Sequence, residues 1–276
     1  MKKVSKILIV LSEHGYWGEE LVGPLEALDK AGYESILATP TGKRPHCLPV
    51  SADPKFIDPP LGRTVTTKEM AEKVKALDAS TRLDNPISLA SWLPERPYVS
   101  AQNYLRALET YYHALEQIDH DIKKYAAVLL VGGSGPIVDM ANNQRVHDLI
   151  LAFHRADKPM AVECYGVSCL AFARDMRVRK SIIWGRHVTG HTIEYDYKDG
   201  TGFLGTDFNM GPPPYPLEYI LRDAVGPDGQ YHGNVGNRTS VIVDYPFITS
   251  RSTASSVLCG EKLVEVLEKG LKRYGW

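Results

Sequence analysis

Short apolar runs alternate with amphipathic segments along most of the chain. Runs rich in β-branched and apolar residues predict buried strands at residues 6–11, 35–38, 126–131, 159–163, 181–184 and 240–244. Apolar residues at helical spacing predict helices at residues 19–31, 101–118, 144–155, 167–173 and 253–269. Because strands alternate with helices, we predict an α/β fold with a mostly parallel, doubly wound sheet that helices cover on both faces.

Two segments interrupt this alternation. Residues 51–100 are rich in proline and charge, and residues 196–236 are rich in glycine, proline and tyrosine. Aromatic residues run through both segments, which disfavours disorder. We therefore predict a single domain over residues 1–276, with a small inserted cap at about 51–120 and an elaborated loop at about 196–236.

Composition narrows the class of protein. The chain has 276 residues, of which 43% are hydrophobic and 24% charged, so it can bury a full core. Its net charge is −1 and its basic residues are scattered, which disfavours nucleic acid as a partner.

The apolar run at residues 7–11 is too short for a signal peptide or a membrane helix, so we expect no membrane partner. Four cysteines in a chain of this length do not indicate a disulfide framework, and we expect a cytoplasmic protein.

Cys164 carries the clearest chemical signal. It lies between the predicted strand at 159–163 and the predicted helix at 167–173, and Gly166 relieves crowding in the turn between them. This layout is typical of a nucleophile elbow, in which a strained turn exposes the side chain above the sheet edge. A sulfur close to a helix N-terminus is also expected to favour the thiolate. The alternative is a small buried cysteine, the interpretation we prefer for Cys169.

The carboxyl edge of a parallel sheet should bring other groups towards Cys164. Residues 131–135, Val-Gly-Gly-Ser-Gly, follow a predicted strand and offer backbone N–H groups suited to an oxyanion hole. Glu20 begins the first predicted helix and could point across the sheet edge, with a buried carboxyl group of raised pKa. For Glu19 we prefer an ordinary place at a helix N-terminus.

A histidine could serve as the base. Of the nine in the chain, His191 is the best placed, and Glu194 or Asp196 could orient its ring. A structural histidine remains the alternative. Because the sequence contains neither CxxC nor HExxH, we expect no dedicated metal site, and no cofactor is indicated.

The order and spacing of these segments resemble the ThiJ/PfpI superfamily, whose members are related to class I glutamine amidotransferase domains. The similarity rests on segments spread along the chain: residues 20–24 (ELVGP), 131–135 (VGGSG), 164–166 (CYG), 188–191 (VTGH) and 248–251 (ITSR). Further segments resemble the longer branch, which holds glyoxalase III enzymes and heat-shock holding chaperones and carries a cap: residues 52–55, 135–140 and 216–221. The resemblance implies a flavodoxin-like sandwich and usually a homodimer.

The resemblance also implies roles for individual residues. Cys164 corresponds to the family's nucleophile and Glu20 to its carboxylic partner. Backbone N–H groups of Gly133 and Tyr165 correspond to the oxyanion hole. His191 matches a histidine found near the cysteine in the shorter branch.

The chain departs from the long branch in two places. That branch normally has a histidine directly after its cysteine, where this chain has Tyr165, and often one in the Gly-Gly turn, where this chain has Ser134. The usual base is therefore missing from its usual place. Ser134, Glu194 and Arg251 are predicted as orienting or pocket residues.

These observations predict a cofactor-independent cysteine enzyme that acts on a small electrophilic molecule. A glyoxalase III-like lyase and a small carbon–nitrogen hydrolase or hydratase would use the same groups. Two alternatives stay open: a stress-response holding chaperone that captures unfolded chains in an apolar groove, and a redox sensor in which Cys164 is oxidised reversibly.

Overall fold

The computed structural model describes residues 5–58, 61–193, 216–233 and 240–276. Strands in these ranges are β1 Lys6–Val10, β2 Glu34–Thr39, β3 Ile57–Asp58, β4 Arg63–Thr64, β5 Ile87–Ser88, β6 Tyr125–Leu130, β7 Met160–Glu163, β8 Arg174–Asp175, β9 Lys180–Ser181, β10 His187–Val188, β11 Gln230–Tyr231, β12 Val241–Asp244, β13 Phe247–Ser250 and β14 Arg273–Tyr274. The helices are α1 Gly18–Lys30, α2 Lys68–Asp78, α3 Leu89–Trp92, α4 Tyr104–Asp121, α5 Gly135–Asp139, α6 Gln144–Arg155, α7 Ser168–Phe172, α8 Leu217–Val225 and α9 Ser256–Lys269.

An eight-stranded sheet forms the centre of the molecule, in the order β14-β12-β13-β7-β6-β1-β2-β5. β1, β2, β5, β6, β7 and β13 pair in parallel, and β12 runs antiparallel between β13 and β14. Helices cover both faces, so the fold is the flavodoxin-like, doubly wound α/β sandwich that the sequence predicts.

The alternation of side chains along each strand divides the core into two layers. In β1, Leu8 and Val10 face the layer that contains α6 and α7, whereas Ile7 and Ile9 face the layer that contains α1 and α9. Because both layers are apolar, the sequences of the central strands are continuous hydrophobic runs.

The predicted helix at 144–155 matches α6 residue for residue, and the helix predicted at 101–118 begins and ends three residues later, as α4. The strand predicted at 181–184 is wrong. Lys180–Ser181 instead pairs with Arg174–Asp175 in a separate two-stranded hairpin. Ile182 and Ile183, which follow, are buried in the core but form no strand. Their apolar side chains reflect burial, and the prediction took this apolar run for a strand.

The region predicted as a cap contains the antiparallel hairpin β3–β4, the helix α2, and β5, which extends the central sheet beside β2. Of the segment at 196–236, α8 and β11 are described, whereas residues 196–215 and 234–236 lie outside the described residues. Across the described ranges, none of the helices has both the length and the apolarity needed to cross a membrane. These ranges also contain no group of three or more His, Cys, Asp or Glu side chains placed to hold a metal ion.

Candidate active site

Cys164 occupies a strained turn at the carboxyl end of β7. Its φ angle is +49°, in the left-handed region that a non-glycine residue rarely adopts. A short 3-10 turn, Cys164–Val167, then leads directly into α7. Only 5% of the cysteine is exposed. The strand–turn–helix layout is that of a nucleophile elbow.

His191 lies within hydrogen-bond reach of the cysteine. Its Nδ1 is 3.4 Å from the Sγ of Cys164. The imidazole stacks on the phenol ring of Tyr165, with ring centroids 4.2 Å apart and planes inclined by 26°. Tyr165 therefore holds the histidine in place through its ring, in addition to the backbone N–H role that the family resemblance implies for it.

Glu20 reaches the cysteine from the first turn of α1. The residue is 1% exposed, and burial raises the pKa of its carboxyl group to about 8. Hydrogen bonds with Cys164 and with the backbone N–H of Gly133 act in the opposite direction on this pKa but do not cancel the effect of burial. Near neutral pH the carboxyl group is thus mostly protonated, in agreement with the buried acid of raised pKa that the sequence suggested.

The surroundings of Cys164 raise the pKa of its thiol. Burial raises this pKa well above the ordinary value, and Glu20, when it is ionised, raises it further. The backbone N–H groups of Gly133 and Tyr165 have the opposite, weaker effect on this pKa. Burial and Glu20 therefore act on this pKa against the preference for the thiolate that the helix N-terminus was expected to give. The helix concerned, α7, has only five residues, and the sulfur is shielded from water.

The turn after β6 is packed closely against this site. A Cβ atom on Gly132 would lie 2.3 Å from Oε2 of Glu20 and 2.7 Å from Cβ of Cys164, so no side chain fits there. Gly133 has a φ of +94°, and a Cβ atom on it would lie 2.5 Å from the backbone nitrogen of Trp17. Both glycines are thus required for the acid, the thiol and the N–H donor to meet.

These groups line a cavity of about 200 Å³. The hairpin β3–β4 of the predicted cap contributes part of its wall, including Leu61 and Val65. The complete lining in the described residues is Trp17, Glu20, Asp58, Leu61, Arg63, Thr64, Val65, Gly133, Ser134, Cys164, Tyr165, His191, Ser252, Thr253 and Ala254.

A model of ThiJ/PfpI family-like proteins matches residues 11–193, a span that contains the acid, the Gly-Gly turn, the cysteine and the histidine. The chain belongs to the ThiJ/PfpI family. Among curated relatives, it is 30% identical over 204 residues to a protein/nucleic acid deglycase HchA of Pseudomonas aeruginosa, with 71% of this chain and 68% of the relative covered.

Solved structures with the same fold include glyoxalase III from Candida albicans, with a TM-score of 0.62 and 17% identity over 96% of this chain and 98% of that one. The Rapid Encystment Protein of Francisella tularensis aligns with a TM-score of 0.65 and 19% identity, covering 96% of this chain and 99% of that one. At such identities the likeness concerns the fold of this ThiJ/PfpI protein.

The remaining predicted site residues fall in different places. Ser134 lines the cavity and is 7% exposed. Arg251 is fully buried, and its Nη1 donates to the carbonyl oxygen of Gly233 at 3.1 Å. Arg251 is not among the described residues that line the cavity, whereas the next residue, Ser252, is. The arginine therefore lies behind the cavity wall and not in it. Glu194 and Asp196 lie outside the described residues.

Glu163 is a second buried acid of this ThiJ/PfpI protein, next to the site, that was not among the residues predicted from the sequence. It is the residue before Cys164 and is fully buried; the hydroxyl of Ser250 donates to its Oε2 at 3.4 Å. Burial raises its pKa well above the ordinary value, and the charge of Glu20 raises it further. The sequence did contain a sign of this residue, because a glutamate at the end of an otherwise apolar strand is unusual. A buried carboxyl group needs hydrogen-bond partners to offset the cost of its burial.

Proposed function

We propose that this ThiJ/PfpI protein converts a small 2-oxoaldehyde into the corresponding 2-hydroxy acid without glutathione, a glyoxalase III-type reaction. The observation that carries the proposal is that a thiol, an imidazole and a buried carboxyl group of raised pKa line one cavity of about 200 Å³. A space of this size suits a small molecule. The glyoxalase III fold of the Candida albicans protein supports the same choice of reaction.

In the first step, Cys164 adds to the aldehyde carbon. His191 accepts the thiol proton through Nδ1, 3.4 Å away, so that the sulfur attacks as a thiolate even though its resting pKa is raised. A carbon–sulfur bond forms, the carbonyl π bond breaks, and the oxygen receives the electron pair. The N–H groups of Gly133 and Tyr165 stabilise this alkoxide, which then takes the proton from the imidazolium to give a hemithioacetal.

The second step moves a proton between adjacent carbons. The ionised form of Glu20 removes the hydrogen of the former aldehyde carbon, which gives an enediolate. The hydroxyl proton passes from the oxygen of the former aldehyde carbon to the oxygen of the neighbouring carbon, and Glu20 returns its proton to that neighbouring carbon, which gives a thioester. A carboxyl group with a pKa of about 8 is a stronger base than an ordinary glutamate and is still partly ionised near neutral pH. Water then hydrolyses the thioester, releasing the 2-hydroxy acid and the thiol of Cys164.

The proposal is tested by incubating the purified chain with methylglyoxal, with no thiol or metal added, and following products by proton NMR. We expect lactate to form in proportion to enzyme concentration. Disappearance of methylglyoxal without lactate, or a rate equal to that of buffer, would show that the chain does not catalyse this reaction.

A second candidate is deglycation, and the 30% identical relative named as a protein/nucleic acid deglycase favours it. The same thiol would displace an amine or guanidine from its hemiaminal with the aldehyde, breaking a carbon–nitrogen bond. An experiment in which methylglyoxal is first equilibrated with N-acetylarginine distinguishes the two activities. Release of free N-acetylarginine faster than free methylglyoxal is consumed would favour deglycation; the reverse order would favour the glyoxalase reaction.

A further inference from the structure

The segment that carries His191 begins at a second histidine, His187, the first residue of β10. The Nδ1 of His187 lies 2.8 Å from the Nε2 of His232, which directly follows β11, so the two imidazoles share a hydrogen bond. One of the two nitrogens therefore carries a proton, and the other accepts it with a lone pair. Neither residue belongs to the described cavity lining, and neither has a part in the reaction steps above.

The number of protons on this pair determines whether the contact can persist. A neutral pair, or a pair with one additional proton, places one N–H donor opposite one lone pair. With a second additional proton, both facing nitrogens become donors, and two positive charges lie side by side. Burial lowers the pKa of His187 and of His232, and the charge of His187 lowers the pKa of His232 further. The folded chain thus disfavours the doubly protonated pair.

The charged groups around His187 give the pair no excess of negative charge. In the described residues, Asp244 of β12 accepts a hydrogen bond from the backbone N–H of His187 at 2.9 Å and raises the pKa of its imidazole. Arg186 lies 3.4 Å from the same carboxylate. Arg273 of β14 lowers the pKa of His187, and its guanidinium group lies 3.7 Å from the ring of Trp276, which stacks on His187 at a centroid distance of 3.5 Å. One carboxylate is therefore set against two guanidinium groups.

Two further elements pack against β10, and neither compensates for a second positive charge. β13 presents the hydroxyl group of Thr249, which does not titrate in this range. α8 places the guanidinium group of Arg222 5.0 Å from the ring of Tyr231, beside His232. This arginine is paired with Glu218 at 2.7 Å, so α8 contributes two opposite charges.

Hydrogen bonds tie each of the three residues before His191 to the end of β11. The backbone N–H of His232 donates to the carbonyl oxygen of Val188 at 2.8 Å. The hydroxyl of Thr189 donates to the carbonyl oxygen of His232 at 2.6 Å, and the hydroxyl of Tyr231 donates to that of Gly190 at 3.0 Å. The position of β11 relative to β10 therefore determines where the next residue in the chain lies.

We propose that His187 and His232 are positioning residues, whose shared hydrogen bond holds His191 against Cys164 and is lost when both imidazoles are protonated. The proposal rests on the proposed function only in treating His191 as the acceptor of the thiol proton. An imidazole whose pKa is lowered by folding contributes stability that is present above its ordinary pKa of about 6.5 and is lost as the pH falls below that value. The contact should therefore fail in acid.

Hydrogen exchange at residues 187–191, compared at pH 7 and pH 4.5, measures this release. Protection factors are corrected for the intrinsic pH dependence of exchange, and peptides from β1 and β6 report on the central sheet in the same sample. In the wild type, we expect protection of residues 187–191 to fall at least about tenfold at pH 4.5, the change that corresponds to one pKa unit. Protection of the central sheet should change less.

Replacement of His232 separates the hydrogen bond from the protonation. His232→Gln keeps an amide group that can pair with His187 but does not titrate, so protection should differ less than about twofold between the two pH values. His187→Asn makes the same change on the other side of the contact and gives an independent measurement if His232→Gln does not fold. His113→Gln, at an exposed histidine of α4, is the matched control and should follow the wild type.

Kinetics at pH 7.5 test whether the pair acts through His191. His232→Leu removes the hydrogen bond and should lower kcat for lactate formation about tenfold, with KM changed less than about twofold. His232→Gln should return kcat to within about twofold of the wild-type value. A role in stability alone would reduce the amount of folded enzyme without changing the kcat of the folded fraction.

An equal acid-induced loss of protection in the wild type, His232→Gln and His187→Asn would overturn the proposal, as would protection in the wild type that does not depend on pH. A kcat of folded His232→Leu equal to the wild-type value would also contradict it. Failure of the proposed function looks different, because no chain would then form lactate. In that case the exchange experiment still decides whether the two histidines hold the segment before His191.

Discussion

Raising the pH from about 5 to 8 is expected to lower the free energy of unfolding of the wild-type chain, and Glu20→Gln is expected to remove much of this loss. Burial raises the pKa of Glu20 from 4.5 to about 8 in the folded protein. Between these values the folded state keeps a proton that the unfolded chain releases, so the unfolded state binds fewer protons and stability falls as pH rises. A shift of this size corresponds to a loss of about 5 kcal/mol that is complete only above the folded pKa.

Urea denaturation at pH 5, 6.5 and 8 measures this effect. Glu20→Gln keeps the size of the side chain without its titration, so its unfolding midpoint should depend less on pH than that of the wild type. Some dependence will remain, because burial also raises the pKa of Glu163. Glu26→Gln, on the exposed face of the same helix, is the control and should follow the wild type. An equal pH dependence in the wild type and Glu20→Gln would mean that Glu20 is not buried as a neutral acid.

Cys164→Ala is expected to lower methylglyoxal turnover by at least about 1,000-fold, because covalent addition is lost and the remaining groups have no nucleophile to assist. Cys47→Ala, at a half-buried cysteine outside the cavity lining, should keep turnover close to the wild-type rate. Initial rates of lactate formation, with thermal unfolding of each variant as a check on folding, provide the comparison. Full turnover by Cys164→Ala would contradict every covalent mechanism.

The same variant separates the other functions that the sequence left open. Suppression of client aggregation that survives Cys164→Ala would favour a holding chaperone. Selective oxidation of Cys164 by mild peroxide, without any turnover, would favour a redox sensor.

The sequence predicted the fold well where local patterns and burial agree. The helix at 144–155 has a regular apolar face and was placed without error, and the runs at 6–11 and 126–131 became central parallel strands. The pattern failed for short elements. β5 and β14 have only two residues each, and such elements depend on their neighbours in the sheet for stability.

The site was predictable as far as chain topology brings strand ends together. Cys164, Glu20 and the Gly-Gly turn lie at one sheet edge because parallel strands end there. The stacking of Tyr165 on His191 was not predictable from the sequence. The two residues are far apart in the chain, and their contact depends on how the tertiary structure places the loop that carries His191. The direction in which burial shifts the pKa of the Cys164 thiol was not predictable either. A helix N-terminus in the sequence says nothing of how deeply the sulfur is buried, and burial determined the direction of its pKa shift.

In the proposed mechanism, Cys164 bonds covalently to a small carbonyl compound inside this cavity. Peptide mass spectrometry of iodoacetamide labelling, with increasing methylglyoxal, detects this bond through the protection of the thiol. We predict that methylglyoxal slows labelling at Cys164 in a saturable manner and leaves labelling at the half-buried Cys47 unchanged. A labelling rate at Cys164 that does not depend on methylglyoxal, or that falls equally at Cys47, would show that no covalent adduct forms in the cavity.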